Sequence, residues 1–242
     1  MLKFTVLGSG SKGNSVYFNV DGHQFLIDAG FTKKETDKRL ATIGRSVKDI
    51  ERVFITHDHG DHAAAWIKKE GLLKGDCFAK GFGCWMGTGD GSVKVDSFPL
   101  SHDSGSGSVG YTIQDKSGNK VAVVMDTGCI PEEVLPHLFD CQAILIETNY
   151  SIEMLIDSPY PTELQERIAS NTGHLRDQCA AEAVEMVSWT GLKYVVALHL
   201  SSNCINETLA RFELESVIRD QVPGCEVVIS RQKEPTKMMV VM

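Results

Sequence analysis

The sequence predicts an α/β protein built as a four-layer αββα sandwich, and three observations predict it. Short apolar segments of strand length recur from one end of the chain to the other. Helical spacings fall between them, mostly in the second half. No linker, repeat or low-complexity tract interrupts the pattern. Strands and helices that each carry an apolar face bury it in layers, here two mixed sheets with helices outside. The 242 residues read as one domain, 1–242, because layered folds of that length often form a single unit.

Residues 3–7 form an apolar run that ends at a glycine and predict a strand. Residues 15–20 and 23–28 predict two more, joined by Asp21-Gly22, a strong hairpin signal. Residues 33–44 have helical spacing, with Leu40 and Ile43 on one side and Gly44 at the C-terminal end. A short buried strand over 52–55 leads into a histidine cluster, and a helix is expected over 62–70. Strands are expected over 76–80 and 93–99, separated by a loop with Gly81, Gly83, Gly87, Gly89 and Gly91 around Trp85. This loop is expected to cover the site or support a dimer contact. Residues 108–114 and 120–125 predict a hairpin around Ser117-Gly118-Asn119. The second half predicts helices over 131–138, 161–170, 175–189 and 206–220. Its strands are expected over 143–147, 194–199, 226–230 and 238–241.

Hydrophobic residues make up 42% of the chain and charged residues 23%, an ordinary globular balance and enough for a large core. The formal net charge is −8, and no block of five or six Lys/Arg occurs. That disfavours coating long stretches of nucleic acid, which needs a basic face. It does not disfavour recognising a chain end or a small phosphodiester, because bound cations can supply positive charge locally. The seven cysteines include no CxxC pair, so they read as reduced, mostly buried thiols of a cytoplasmic protein. No signal-peptide pattern or run of about 18 apolar residues is present, so no membrane partner is expected.

Gly8-Ser9-Gly10-Ser11-Lys12-Gly13 imitates a dinucleotide fingerprint, with Asp28 placed 20 residues after Gly8. The fingerprint works only where a helix follows and its N-terminus holds the pyrophosphate. The next residues, Ser15-Val16-Tyr17-Phe18-Asn19-Val20, are β-branched and aromatic. A tight turn in which Asn14 and the glycines pack beneath a site is the expected role.

The strongest chemical signal is Thr56-His57-Asp58-His59-Gly60-Asp61-His62. Alternating His57 and His59 can point into one cavity from an extended turn, while Asp61 and His62 reach a second point nearby. Imidazole and carboxylate ligands suit Zn²⁺, Mn²⁺ or Fe. One loop cannot complete two metal sites. His102 follows a predicted strand and Asp126 and His199 stand at the ends of two others, and a titratable residue ending a buried strand needs a partner. Taken singly, a hydrogen-bonded role serves each as well as ligation. Together, in order behind the cluster, they read as ligands.

The order of Asp28, the His57–His62 motif, His102, Asp126 and His199 resembles the metallo-β-lactamase superfamily over nearly the whole chain. The segment Leu7-Gly8-Ser9-Gly10-Ser11-Lys12-Gly13-Asn14-Ser15 is more specifically similar to the YycJ/WalJ branch. So are Leu26-Ile27-Asp28-Ala29-Gly30, Ile146-Glu147-Thr148-Asn149-Tyr150, Gly173-His174-Leu175 and His199-Leu200-Ser201. That branch is similar in layout to RNase Z and PhnP phosphodiesterases. The resemblance implies the metallo-β-lactamase fold. It places His57, His59 and His102 on metal one, and Asp61, His62 and His199 on metal two, with Asp126 bridging. It implies that Asp28 steadies the histidine loop through hydrogen bonds. Asp61 and His174 are the implied catalytic residues, His174 near the scissile phosphate. The alternative for His174 is a helix N-cap neighbour or a surface residue. Where the branch usually continues Gly-His-Leu-Ser-Asn, this chain has Arg176-Asp177. Arg176 either contacts a phosphate or is solvated in the first helical turn. His23 and His137 match no motif and are expected to be exposed.

Two divalent ions, Zn²⁺ or Mn²⁺, about 3.5–4 Å apart would share and activate a water, and His174 would stabilise charge or donate a proton. A nucleic-acid end or a nucleotide is the expected substrate. The leading expectation is a nuclease-type phosphodiesterase, such as a 5′ exonuclease on DNA. The alternative is a cyclic-mononucleotide phosphodiesterase resembling the anti-Pycsar proteins, acting on cyclic CMP or UMP. Thioesterase or lactamase chemistry would not need Gly173-His174, and a non-catalytic module would be expected to have lost ligands. For assembly, the chain offers only the general prevalence of homodimers.

Overall fold

The computed structural model describes residues 1–73 and 92–242. The first sheet holds β1 (Leu2–Gly8), β2 (Ser15–Val20), β3 (His23–Ile27), β4 (Arg52–Phe54) and β11 (Met239–Val241), in the order β11-β1-β2-β3-β4. The second holds β5 (Val93–Leu100), β6 (Ser108–Asp115), β7 (Lys120–Val124), β8 (Ala143–Glu147), β9 (Tyr194–Leu198) and β10 (Glu226–Ile229), in the order β10-β9-β8-β7-β6-β5. The helices are α1 (Lys33–Ala41), α2 (Trp66–Lys69), α3 (Leu135–Leu138), α4 (Ile152–Ile156), α5 (Thr162–Ala169), α6 (Asp177–Val187) and α7 (Glu207–Ile218). Strands β7 to β10 run parallel, and β5, β6 and β7 are antiparallel.

Alternation along each strand builds the layers. In β8, Ala143 and Leu145 enter a cluster with Phe4, Phe18, Phe25 and Phe54 of the first sheet. Ile144 and Ile146 face the opposite way, against Ala180 and Val184 of α6 and Leu214 of α7. The first sheet does the same: Phe18 faces the second sheet, while Tyr17 joins Leu40 of α1 on the outer side. The result is the expected αββα order. Strands covered on both faces read as continuous apolar runs, which is why they are so visible in the sequence.

All six predicted helices are shorter than expected, and three of them show why. Only Trp66–Lys69 of 62–70 is helical, because the preceding backbone is committed elsewhere. His62 O accepts Ala29 N at 2.8 Å, and Ala63 forms a parallel bridge to Ala29. Helix α3 occupies only the end of 131–138; before it, Val134 N bonds to Pro131 O, a tighter i→i+3 turn. Helix α6 starts at Asp177 rather than 175, since Leu175 O accepts Asn149 N and Arg176 bridges to Tyr150. Helix α4 was not expected, although Ser151 caps it through a bond from Met154 N. The strand over 76–80 and the glycine loop around Trp85 lie outside the described residues. Of the five described cysteines, only Cys141 and Cys204 are buried, fewer than expected. No helix among the described residues is long and apolar enough to cross a membrane.

Candidate metal centre

The carboxyl ends of both sheets' parallel strands meet at one edge. Thr56 and His57 lie just past β4, Asp28 follows β3, Asp126 follows β7, Glu147 ends β8 and His199 follows β9. Asp28, Asp126 and His199 have φ of 58°, 56° and 51°. Left-handed backbone is uncommon for residues with a Cβ, though Asp and His adopt it more readily than most. Such strain concentrates where a fold over-determines a functional position. Here it turns the chain sharply off each strand end.

The glycine-rich turn packs beneath this edge, as expected. Ser9 Oγ accepts His199 N at 2.8 Å, and Asn14 N donates to Asp61 O at 2.8 Å. A Cβ on Gly30 would sit 1.6 Å from Asp61 O, so the loop carrying Asp61 and His62 closes only over a glycine.

The structure brings all seven expected ligands together. Donor atoms of His57, His59 and His102 lie within 4.8 Å of one another, as do those of Asp61, His62 and His199. A further set, His57, His62 and Asp126, joins the two groups at the same 4.8 Å limit. Each of four rings is held by its Nδ1 side. His57 faces Thr56 Oγ1 at 3.0 Å, His62 donates to Asp28 Oδ2 at 2.7 Å, His102 to Gly173 O at 2.9 Å and His199 to Glu147 Oε1 at 3.0 Å. Thr56 Oγ1 donates to Asp28 Oδ2 at 2.8 Å, which leaves its lone pairs for His57. Fixing Nδ1 in this way frees Nε2 for an ion.

The chemistry of the edge fits a metal. His57 Nε2 and His199 Nε2 are buried without a hydrogen-bond partner, and orphaned buried polar atoms are costly. Burial, and His62 next to it, lowers His57 to about 3, so the ring stays neutral. Burial likewise lowers His102. Burial opposes charge on Asp126, but His199 and His62 hold its carboxyl well below the usual range. His57 and His102 are therefore neutral imidazoles that can give a lone pair to a divalent ion. At His62 burial is outweighed by Asp126 and Asp28, which raise the ring well above the ordinary imidazole range, so an ion there would displace a proton. His62 Nε2 lies 3.0 Å from Asp126 Oδ2 and 2.9 Å from Asn14 Nδ2.

The cavity over the centre measures about 170 Å³ and is also lined by His174. His174 Nδ1 donates to Glu147 Oε1 at 2.8 Å and lies 3.3 Å from Asp126 Oδ1. Burial works against its charge, but Glu147 and Asp126 outweigh it and raise the ring to about 10. Larger clefts, about 590 and 670 Å³, lie at Arg211–Lys237 and at Lys33–Leu72 and take in none of the clustered donors.

Glu147 is the residue that sequence reasoning left without a role. It is fully buried and its other oxygen accepts Thr127 N at 2.9 Å. The signal was present: an acid ends an apolar strand, as with Asp126. Arg176 does not line the cavity; it precedes α6, with Nε 3.9 Å from Asp177 Oδ1. His23 and His137 are half-buried rather than exposed: His23 pairs with Glu51, and His137 stacks on Phe98 at 4.5 Å.

The metallo-β-lactamase superfamily model matches residues 8–68, which include the glycine-rich turn and the histidine motif. The chain is 28% identical over 266 residues to exodeoxyribonuclease YycJ of Bacillus anthracis, spanning 99% of each. It is 28% identical to exodeoxyribonuclease WalJ of Streptococcus pneumoniae (strain ATCC BAA-255 / R6), over 82% of this chain and 81% of that protein. A shorter match, 40% over 67 residues, links 25% of the chain to 26% of the anti-Pycsar protein Apyc1 of Paenibacillus sp. (strain J14). Among solved structures, YhfI from Bacillus subtilis superposes with a TM-score of 0.68 at 16% identity, covering 97% of this chain and 98% of that one. The human short-form tRNase Z gives 0.62 at 15%, covering 98% and 100%. A diphosphatase of the PhnP family gives 0.63 at 15%, covering 98% and 97%. The two sheets and their helices therefore form the metallo-β-lactamase fold.

Proposed function

We propose that this chain, a metal-dependent hydrolase of the metallo-β-lactamase superfamily, cleaves nucleic-acid phosphodiester bonds at a dinuclear centre, as a nuclease of exonuclease type. The observation that carries this reading is His174, which lines the same cavity as both donor sets while its Nδ1 is held by Glu147. His57, His59 and His102 would hold one ion, Asp61, His62 and His199 the other, and Asp126 would link them. Nitrogen and oxygen donors of this kind suit Zn²⁺ or Mn²⁺. Two bound ions would neutralise charge on a phosphoryl oxygen and make a shared water acidic enough to attack near neutral pH.

The protein's own groups do the rest. Asp28 and Thr56 orient His57 and His62, while Gly173 O and Glu147 orient His102 and His199. With Nδ1–H committed to Glu147, His174 presents Nε2 to the cavity. A proton held there would stabilise the phosphoryl oxygens or pass to the leaving alkoxide. The whole chain, 1–242, would act as one catalytic domain. Scattered thiols favour a cytoplasmic setting, and a homodimer is the assembly to test by sedimentation.

Cyclic-mononucleotide hydrolysis is the second reading, favoured by the net charge of −8 and by the match to the anti-Pycsar protein. Protein loaded with Mn²⁺ or Zn²⁺ should hydrolyse bis-p-nitrophenyl phosphate. Turnover of a thioester or lactam instead would defeat the phosphodiesterase reading. Parallel assays on 5′-labelled DNA, RNA, cyclic CMP and cyclic UMP separate the two substrates.

A further inference from the structure

Helix α5 carries Leu164 and Ile168 four residues apart, on one face, yet none of its residues is buried. An apolar helical face ordinarily packs on the core. Here Ile168 packs in part against the small Tyr150–Leu155–Cys204 cluster, but Leu164 and Ile168 are only half-buried and both line the metal-centre cavity, with Arg167 beside them. Among the described residues, Arg167 is the one Arg or Lys lining that cavity.

The helix is anchored to the catalytic loop. Ile168 O accepts His174 N at 2.9 Å. A Cβ on Gly173 would come within 2.2 Å of Arg167 O and 2.3 Å of Ile168 O, so the two backbones touch. Gly173 O in turn holds His102. The apolar wall therefore stands at a fixed place relative to both His174 and His102. Arg167 is tied only loosely: Nη2 lies 3.5 Å from Asp103 Oδ2, and the two side chains are 60% and 66% exposed. An exposed pair of that kind contributes little, and a guanidinium takes a phosphate readily in its place.

A phosphodiester at the donor clusters has two organic arms. The cavity of about 170 Å³ is well below the roughly 300–1,000 Å³ of pockets that enclose a drug-sized ligand. A substrate with two such arms extends past the rim, and Leu164, Arg167 and Ile168 form one side of that rim. We propose that the Leu164–Arg167–Ile168 face binds the nucleoside and phosphate next to the scissile bond, so that the substrate is an oligonucleotide end. A cyclic mononucleotide has no second phosphate for Arg167. This rests on the phosphodiesterase reading above.

The test is the ratio of kcat/KM on a short single-stranded oligonucleotide to kcat/KM on bis-p-nitrophenyl phosphate. Arg167→Ala should lower that ratio about tenfold or more, chiefly through KM, the scale of a lost charge-assisted hydrogen bond. Arg167→Lys should restore part of it, and Leu164→Ser should lower it. Both positions are solvent-accessible, so these variants should fold. An unchanged ratio in Arg167→Ala overturns the proposal. If the unaltered protein cleaves neither substrate, the phosphodiesterase reading is what fails. The wall is then judged by fluorescence anisotropy of a labelled oligonucleotide on the metal-loaded protein. Tenfold weaker binding by Arg167→Ala sustains it, and equal binding overturns it.

Discussion

Glu147 Oε1 receives the Nδ1–H of His174 at 2.8 Å and the Nδ1–H of His199 at 3.0 Å. One buried carboxylate oxygen thus orients a proposed metal ligand and the proposed proton donor. The two rings lie 5.1 Å apart. Their spacing is set by β8, which places Glu147 between the ends of β7 and β9.

His174→Ala should lower kcat by about 10²–10⁴, the usual contribution of a positioned acid or base. Metal content, measured by atomic emission on the purified variant, should stay at the level of the parent protein. Loss of metal would mean that His174 is a ligand.

Asp28 accepts from Thr56 N, Thr56 Oγ1 and His62 Nδ1, at 2.8, 2.8 and 2.7 Å. Asp28→Asn keeps a side chain that tolerates φ of 58° but places an amide where His62 needs an acceptor. Metal affinity should fall about 10–100-fold, as for other groups that support a ligand. Asp28→Ala should in addition lower Tm without metal, because three buried donors lose their partner. Competition titration with a chromogenic chelator, alongside thermal melts, checks both.

Gly30→Ala should be among the most damaging single-methyl changes in the chain. The added carbon would overlap Asp61 O, and backbone cannot move aside there without shifting Asp61 and His62. A loss of about 4 kcal/mol or more is the scale of such clashes. Chemical unfolding curves would reveal it, and a variant as stable as the parent would show that this loop closes differently.

Asp177, buried at the start of α6, has its carboxyl raised from 3.8 to about 6 by burial, with Glu213 and Glu153 adding to it. The folded state binds this proton more tightly than the unfolded chain. The stability it contributes is therefore present below pH 4 and lost as pH rises through about 6. Asp177→Asn should raise Tm at pH 8, and the difference should vanish near pH 4. Melts at pH 4, 6 and 8 decide it; an equal difference at all three would place the effect elsewhere.

Chelation should abolish hydrolysis and also lower Tm, since His57 Nε2 and His199 Nε2 are buried with no hydrogen-bond partner besides an ion. An ion at a hundred times its Kd stabilises by about 2.7 kcal/mol. Re-adding Zn²⁺ or Mn²⁺ should restore both signals. A Tm indifferent to chelator would contradict tight binding at this edge.

Much of the strand framework was legible because strands covered on both faces are apolar throughout. The strand segments over 143–147 and 194–199 fall within a residue of β8 and β9. Helix boundaries were less legible. Residues 62–65 have a helical composition, but Ala29 N bonds to His62 O and draws that backbone out of the helix. Such a long-range bond leaves no trace in local spacing.

The amino-acid sequence alone predicted the layered fold and proposed the seven donors, from strand period, from the local spacing of the His57–His62 motif and from the order of His102, Asp126 and His199 behind it. Only the tertiary structure decided which groups orient those donors. Glu147, Thr56, Gly173 O and Asn14 reach the centre from separate strands and loops. It also decided that the apolar face of α5 lines the cavity: burial of a helix face depends on what lies opposite it, and periodicity reports the face but not its neighbour.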